Sequence, residues 1–177
     1  LSRRIRPPGR QRRGTAYFNF LASHDGIGLR PVEGLLSATE LKKLTDTMVR
    51  FGGRLSYRAT QASDEQPYEI NISLWDALAG TVEQGKDKYQ FHRFICAHAI
   101  LLALEGIPAI YVHSLVATEN DLSRVENTGN LRSINRHVWG QEQLESHLAN
   151  GDSRHSRVLT RLLALIRVRK RQKAFHP

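Results

Sequence analysis

The first residues that could do chemistry are Ser23-His24-Asp25-Gly26, a polar cluster that follows directly on the apolar-aromatic run Tyr17-Phe18-Asn19-Phe20-Leu21. An imidazole and a carboxylate delivered by a rigid strand are placed to bind a polar substrate, because active-site groups of parallel α/β folds gather at strand C-terminal ends. Asp before Gly is equally the chemistry of a plain turn. A second candidate is the pair Arg132 and Arg136, which flank Ser133-Ile134-Asn135. Their forked guanidinium groups suit paired hydroxyls or a carboxylate, although surface charge accounts for them as well. Other chemistries lack their spacing. The eight histidines form no His-x3-His or His-Glu-x-x-His pattern, so no zinc site is indicated. His92 and His98 lie six apart on one helix, off a common face, and read as packing or surface residues. Gly26-Ile27-Gly28 is too short for a dinucleotide loop, and no phosphate-loop lysine motif occurs. Glu83, Glu105 and Glu119 show no paired-carboxylate pattern. Cys96, amid Ile and Ala, reads as inert packing.

The elements that must position these groups follow from periodicity. Thr15–Ala22 is short, aromatic and apolar on both faces, as expected of a strand buried in a parallel sheet. Ser37 or Thr39 opens a helix, with Glu40 at the capping-box distance from Ser37. Leu41, Leu44, Met48 and Phe51 give it one apolar face, and Gly52-Gly53 ends it. Arg54–Pro67 reads as polar loop. Tyr68–Leu74 alternates apolar and polar residues, a half-buried extended segment, and Trp75–Leu78 turns into a short helix. Lys86–Glu105 is expected to be the longest strong helix, buried from Phe91 to Leu104, with Gly106 and Pro108 ending it. Ile107–Val112 is a short strand that again ends on a polar residue, His113. Glu119–Arg136 is loop-rich, Gln141–Leu148 a short helix, and Ser156–Lys173 a long amphipathic helix burying Val158, Leu162, Leu165, Ile166 and Val168. Strands separated by long helices indicate βα units and an α/β fold.

Composition bounds the answer. The chain has 177 residues, 40% hydrophobic and 24% charged, which is globular and enough for one domain. A single cysteine excludes a disulfide framework and a Cys-rich zinc site. No apolar run approaches the roughly 18 residues of a membrane span, and Leu1–Arg13 has no apolar stretch behind it to make a secretory signal. A cytoplasmic location is the expectation. The net charge is +9, with Arg3 to Arg13 at one end and Arg161 to Lys173 at the other, which leaves a basic nucleic-acid-binding module as a rival reading. Leu1–Gly14 is expected to be a disordered basic segment. Two strands and one extended piece do not complete a sheet, so the chain reads as part of something larger, from a truncated coding sequence.

Four ordered stretches carry a resemblance. Phe18-Asn19-Phe20-Leu21-Ala22-Ser23-His24-Asp25-Gly26-Ile27-Gly28-Leu29 resembles the fourth conserved region of the alpha-amylase superfamily of retaining glycosidases, in the form of its sucrose phosphorylase branch. Tyr68-Glu69-Ile70-Asn71-Ile72-Ser73 is similar to the extended piece after that branch's inserted subdomain. Gly106-Ile107-Pro108-Ala109-Ile110-Tyr111-Val112 resembles the eighth barrel strand. Arg132-Ser133-Ile134-Asn135-Arg136-His137 resembles the loop after it. The stretch from Ile166 to Pro177 looks like the last barrel helix.

The resemblance implies a partial (β/α)8 TIM barrel holding the seventh and eighth βα units in residues 15–177, with a small inserted helical subdomain at about 30–75. It implies double displacement with retention, in which a nucleophile and an acid/base sit about 5 Å apart. Neither is matched in this chain, which is therefore expected to be inactive alone. Asp25 matches the third carboxylate, the transition-state stabiliser. His24 matches the histidine on the same sugar, and Arg132 an arginine holding the glucosyl unit. The implied reaction moves glucose from an α-glucoside (sucrose, glucosylglycerate or glucosylglycerol) to inorganic phosphate, with no metal or organic cofactor and neither nucleic acid nor membrane as partner. A hydrolase of the same superfamily is the alternative among enzymes.

Overall fold

The computed structural model describes residues 14–58 and 65–175. The basic N-terminal segment, apart from Gly14, lies outside the described residues, as do part of Arg54–Pro67 and the last two positions. The described chain combines helices with small sheets. Its elements are β1 (Phe18–Asn19), β2 (Ile27–Gly28), α1 (Ala38–Arg50), β3 (Arg54–Arg58), β4 (Gln66–Asn71), α2 (Leu74–Ala77), β5 (Gly80–Thr81), β6 (Gly85–Lys86), α3 (Gln90–Ala103), β7 (Ile107–Pro108), α4 (Val112–Leu115), α5 (Leu122–Thr128), α6 (Gln141–Ala149) and α7 (Arg154–Arg171). A 3-10 turn spans Leu131–Asn135.

β1 and β7 pair in parallel, with Phe18 opposite Ile107. The two apolar runs therefore lie side by side, as the strand–helix–strand order requires. Each run is a far shorter strand than its apolar length suggests. Phe18 and Phe20 are 64% and 55% exposed and Ile107 is 55% exposed, because β1 has only β7 beside it among the described residues. Of this run, Ala22 reaches the core, with Leu21 packed against it. The rest of the second run turns into α4 at Val112.

α1 begins where its capping box dictates. Ser37 accepts the Glu40 amide, and the Glu40 carboxylate accepts the Ser37 amide at 2.8 Å. The segment after it departs from the loop expectation. Arg54–Arg58 forms β3, antiparallel to β4, with β2 on the other side of β4. Its polar alternation belongs to an edge strand, whose outer face meets water, while Leu55 packs inward. Residues 30–75 thus hold a helix and a hairpin rather than helices alone. β4 lies centrally, so Glu69 through Ser73 are buried on both faces, which corrects the half-buried expectation.

Two cores result. One gathers Ala22, Leu74, Trp75, Phe94, Ala117, Val158 and Leu162 between α3 and α7. The other gathers Leu29, Met48, Phe51, Ile70, Ile72, Ala77 and Ala79 under α1 and the three-stranded sheet. Each fully buried Leu, Ile, Val or Phe contributes about 1.5–3 kcal/mol. Ile27 touches both cores, so the turn just before it is set between two packed bodies.

The helices also correct the sequence reading. α3 starts at Gln90, because residues 80–86 form the β5–β6 hairpin. It is buried on one side only, at Phe94, His98, Leu101 and Leu102, while Ile100 is 58% exposed. Cys96 lies on the exposed side, not in the core. The longest described helix is α7, with 18 residues, capped by Ser153 through the Ser156 amide at 3.0 Å. Its buried residues are His155, Val158 and Leu162, and Val168 is 57% exposed. The expected loop 119–136 contains α5 and the 3-10 turn. No described helix is long and apolar enough to cross a membrane.

Candidate functional site

Ser23 and Gly26 exchange backbone hydrogen bonds at 3.0 and 3.1 Å, which places His24 and Asp25 at the tip of a tight turn. Gly26 is obligatory in this geometry. Its φ is +118°, and a Cβ there would stand 2.3 Å from the Ile70 carbonyl oxygen, a region open to glycine and strained for other residues.

Three side chains from two distant segments then fix the turn. Asn135 donates to Ser23 O at 2.5 Å, Arg136 Nε–H to His24 O at 3.0 Å, and Asn71 to Asp25 O at 3.0 Å. Three successive carbonyls are each taken by a different donor, so the turn has little freedom to rotate. The Asp25 amide donates to the Ser23 hydroxyl at 3.2 Å.

The Asp25 carboxylate draws its partners onto one oxygen. Oδ1 lies 2.9 Å from Arg136 Nη2, 3.2 Å from Arg132 Nη1 and 3.4 Å from His24 Nε2. Arg132 faces two ways. Its Nε and Nη2 form a fork on Glu69, at 3.0 and 2.9 Å. Planar paired contacts of this kind are the strong form of an arginine–carboxylate bond. The Glu69 hydrogen bond, with Asp25 and Glu69 charge beside it, raises the Arg132 pKa further above its ordinary value. Glu69 is buried and takes a third bond, from Asn71 at 2.5 Å, while Ser56 donates to Asn71 Oδ1 at 2.7 Å.

Exposure is graded. Glu69 is 8% exposed at its side chain, Asp25 32% and His24 65%. The cluster therefore presents Asp25 and His24 to solvent from a buried base. Beside it runs a cavity of about 220 Å³, walled by Phe18, Phe20, Ala22, His24, Ala109 and Tyr111. A carboxylate backed by two guanidinium groups, next to aromatic rings, is suited to a neutral polyhydroxylated ring. The carboxylate accepts hydroxyl hydrogens, and the guanidinium groups fix its orientation.

The structure brings His24, Asp25 and Arg132 together. With them come Arg136, the other member of the candidate arginine pair, and Glu69, Asn71 and Asn135, which the sequence reading did not single out. One signal was available: Glu69 and Asn71 form the polar side of the alternating segment, and a carboxylate and an amide two residues apart share a strand face. His98 stays apart from the site, buried with Nδ1 2.8 Å from Phe94 O. Burial lowers its pKa, and the Phe94 contact opposes this. His92 is exposed, against Phe91. No group of three His, Cys, Asp or Glu with metal-binding geometry occurs among the described residues.

A second polar cluster has no counterpart in the sequence reading. A cleft of about 480 Å³ is lined by Asp121, His137, Trp139, His147, Arg154 and His155, among others. Trp139 meets the rings of His137, His147 and His155 edge-on at 4.6, 5.7 and 5.2 Å.

Comparison with known proteins gives a consistent set of relatives. The chain is 39% identical over 163 residues to a glucosylglycerate phosphorylase of Allomeiothermus silvanus, covering 92% of this chain and 29% of that protein. It is 38% identical to the glucosylglycerate phosphorylase of Escherichia coli, over the same shares. Identity to a sucrose 6(F)-phosphate phosphorylase of Thermoanaerobacterium thermosaccharolyticum is 32%, over 90% of this chain and 30% of that protein. A crystal structure of sucrose 6F-phosphate phosphorylase from Thermoanaerobacter thermosaccharolyticum superposes with a TM-score of 0.73 at 30% identity, over 89% of this chain and 30% of that one. No family model matches the chain. The chain thus spans under a third of the length of the relatives it matches.

Proposed function

Because this chain is a homologue of the glycoside phosphorylases of the alpha-amylase superfamily over nine-tenths of its own length, we propose that it forms the glucose-holding wall of an enzyme that transfers an α-glucosyl unit to inorganic phosphate. The donor is glucosylglycerate, sucrose or a similar α-glucoside. In this reading β1 and β7 are neighbouring strands of a (β/α)8 barrel, and residues of about 30–75 are the inserted subdomain. The nucleophile and the acid/base come from polypeptide outside this chain, which alone is inactive. The reaction needs no metal or organic cofactor, and takes place in the cytoplasm.

The observation that carries the proposal is the convergence of Arg136, Arg132 and His24 on Asp25 Oδ1. With Oδ1 engaged, Oδ2 is the oxygen to accept hydroxyl hydrogens of a bound glucosyl ring, and His24 Nε2 lies beside it for the same ring. As the ring gains oxocarbenium character its hydroxyls become more acidic, and these contacts tighten. That makes Asp25 a transition-state stabiliser rather than a uniform binder. Arg132 commits Nε and Nη2 to Glu69, so this reading gives the sugar-side contact to Arg136. Arg132, forked onto Glu69, then acts mainly to hold Asp25 in place. The apolar sides of Phe18 and Phe20 become the ring-side wall of the pocket.

The test is a chimera in which residues 14–175 replace the homologous segment of a glucosylglycerate phosphorylase. It is expected to release glucose 1-phosphate from glucosylglycerate only when phosphate is present. Asp25→Asn in the chimera should lower kcat by roughly a hundred-fold or more with a smaller change in KM, as for loss of a preorganised electrostatic contact. Near-normal turnover by that variant would remove Asp25 from the role. Release of free glucose at the same rate without phosphate would favour the hydrolase reading.

A further inference from the structure

The site depends on the turn that carries Arg132 and Arg136, and that turn is gripped from outside. The Asp121 amide donates to Ile134 O at 2.8 Å, and the Tyr111 hydroxyl donates to Asn135 O at 2.9 Å. His137, the residue after Arg136, places Nδ1 2.6 Å from Asp121 Oδ2. The other oxygen of Asp121 accepts the Arg124 amide and the Ser123 hydroxyl, both at 2.9 Å, and so caps α5. One carboxylate thus ties the helix start to the chain leaving Arg136. Burial pushes the Asp121 pKa up, but the bonds from His137, Arg124 and Ser123 outweigh it and hold it below the usual value. An ionised carboxylate only accepts, so Nδ1 of His137 carries the hydrogen whether the ring is neutral or cationic. The rest of the ring is backed by Trp139 at 4.6 Å. The Trp139 indole N–H is fixed in turn on the Thr118 hydroxyl at 3.1 Å, which also meets His113 Nδ1 at 3.1 Å.

We infer that His137 and Asp121 are a positioning pair: their imidazole–carboxylate clasp fixes the chain direction just past Arg136 and thereby keeps its guanidinium on Asp25 and on the His24 carbonyl. The need for such a clasp is physical. Arg136 is 36% exposed at its side chain, and a long flexible side chain at a wet surface otherwise gives up its alignment to rotamer entropy. A sugar contact misplaced by about 1 Å loses much of its effect. The significance of Arg136 for the sugar rests on the function proposed above; the clasp itself does not.

The experiment follows the Nε–H of Arg136 by NMR in the full 177-residue chain without any sugar. This hydrogen is the one bonded to His24 O. His137→Ala is expected to speed its exchange with solvent by roughly ten-fold, the scale of one lost ordered hydrogen bond, while backbone amides of α3 and α7 keep their wild-type exchange. His137→Asn, whose amide nitrogen can stand where Nδ1 stood, is expected to restore slow exchange. Asp121→Asn keeps an acceptor oxygen and should give an intermediate rate. An unchanged Arg136 in His137→Ala overturns the inference. So does equal acceleration of the α3 and α7 amides, which marks a general loosening, and so does a failure of His137→Asn to rescue. Since no substrate is involved, a negative result here leaves the chimera test standing, and a negative chimera result leaves the clasp standing.

Discussion

Gly26→Ala should be far more damaging than its single added methyl suggests. Two costs arise together. A non-glycine residue held near φ +118° carries about 1–3 kcal/mol of backbone strain. The new Cβ would lie 2.3 Å from Ile70 O and 3.2 Å from Asn71 Cα. Ordinary contact begins near 3.4 Å, so β4 or the turn must shift by about 1 Å, and overpacking of this kind costs about 1–3 kcal/mol more. The sum is about 4 kcal/mol, a large share of the ~5–15 kcal/mol by which domains are stable. Gly34 supplies the control. Its φ is +75° and nothing lies within 4 Å of its virtual Cβ, so Gly34→Ala should cost only about 1–2 kcal/mol. The assay is urea unfolding followed by tryptophan fluorescence, with Trp75 in the core as reporter. With a slope near 2 kcal/mol/M, Gly26→Ala should lower the midpoint by about 2 M and Gly34→Ala by about 0.5–1 M. Equal shifts for the two variants would refute the reasoning, because strain without a clash would then explain both. The same displacement pulls Asp25 O away from Asn71, so an intact Gly26→Ala chimera should also lose turnover.

Acid should weaken the fold through its histidines. Burial lowers the pKa of His98, His113 and His155. Such groups bind fewer protons folded than unfolded, so their stability is complete above the ordinary value of 6.5 and is lost as pH falls below it; unfolding midpoints measured from pH 7.5 down to 5 should fall, and a flat profile would contradict the burial. Asp76 acts in the opposite sense. Burial raises its pKa above 3.8 against the bond from the Asn120 amide, so its contribution declines as pH rises through the window above 3.8, and Asp76→Asn should compare better with wild type at pH 7 than at pH 4. Cys96, exposed on α3, should react with a thiol reagent in the native chain about as fast as in urea; protection of ten-fold or more would return it to the core.

The turn that carries His24 and Asp25 is a local matter, and much of it was legible. The strand–His-Asp-Gly order, the capping box at Ser37, the alternation through Tyr68–Leu74 and the amphipathic run after Ser156 all depend on residues within a few positions of one another. Local propensity and periodicity act at that range, and α1 and α7 exist close to their expected bounds, while the first strand is there but far shorter than its apolar run. The parallel pairing of β1 with β7 also followed from chain order, through the rule that strand–helix–strand units form parallel neighbours.

What the chain order could not carry was which faces are covered and which polar groups meet. Phe18, Phe20 and Ile107 are apolar yet exposed, and Arg54–Arg58 is polar yet a strand, because covering depends on neighbours supplied from elsewhere in the fold. Glu69 reads as the wet side of an extended segment but is buried under an arginine 63 positions away. Arg136 reaches Asp25 across 111 positions, and Asp121 meets His137 only because α5 and the 3-10 turn fold back on each other. By itself, then, the sequence determined the capped helix α1, the long amphipathic helix α7 and the chemical character of the turn at His24 and Asp25. Tertiary structure alone decided that Oδ1 of Asp25 would take two arginines and a histidine, since hydrogen bonds and ion pairs act over about 3 Å of space and are indifferent to distance along the chain.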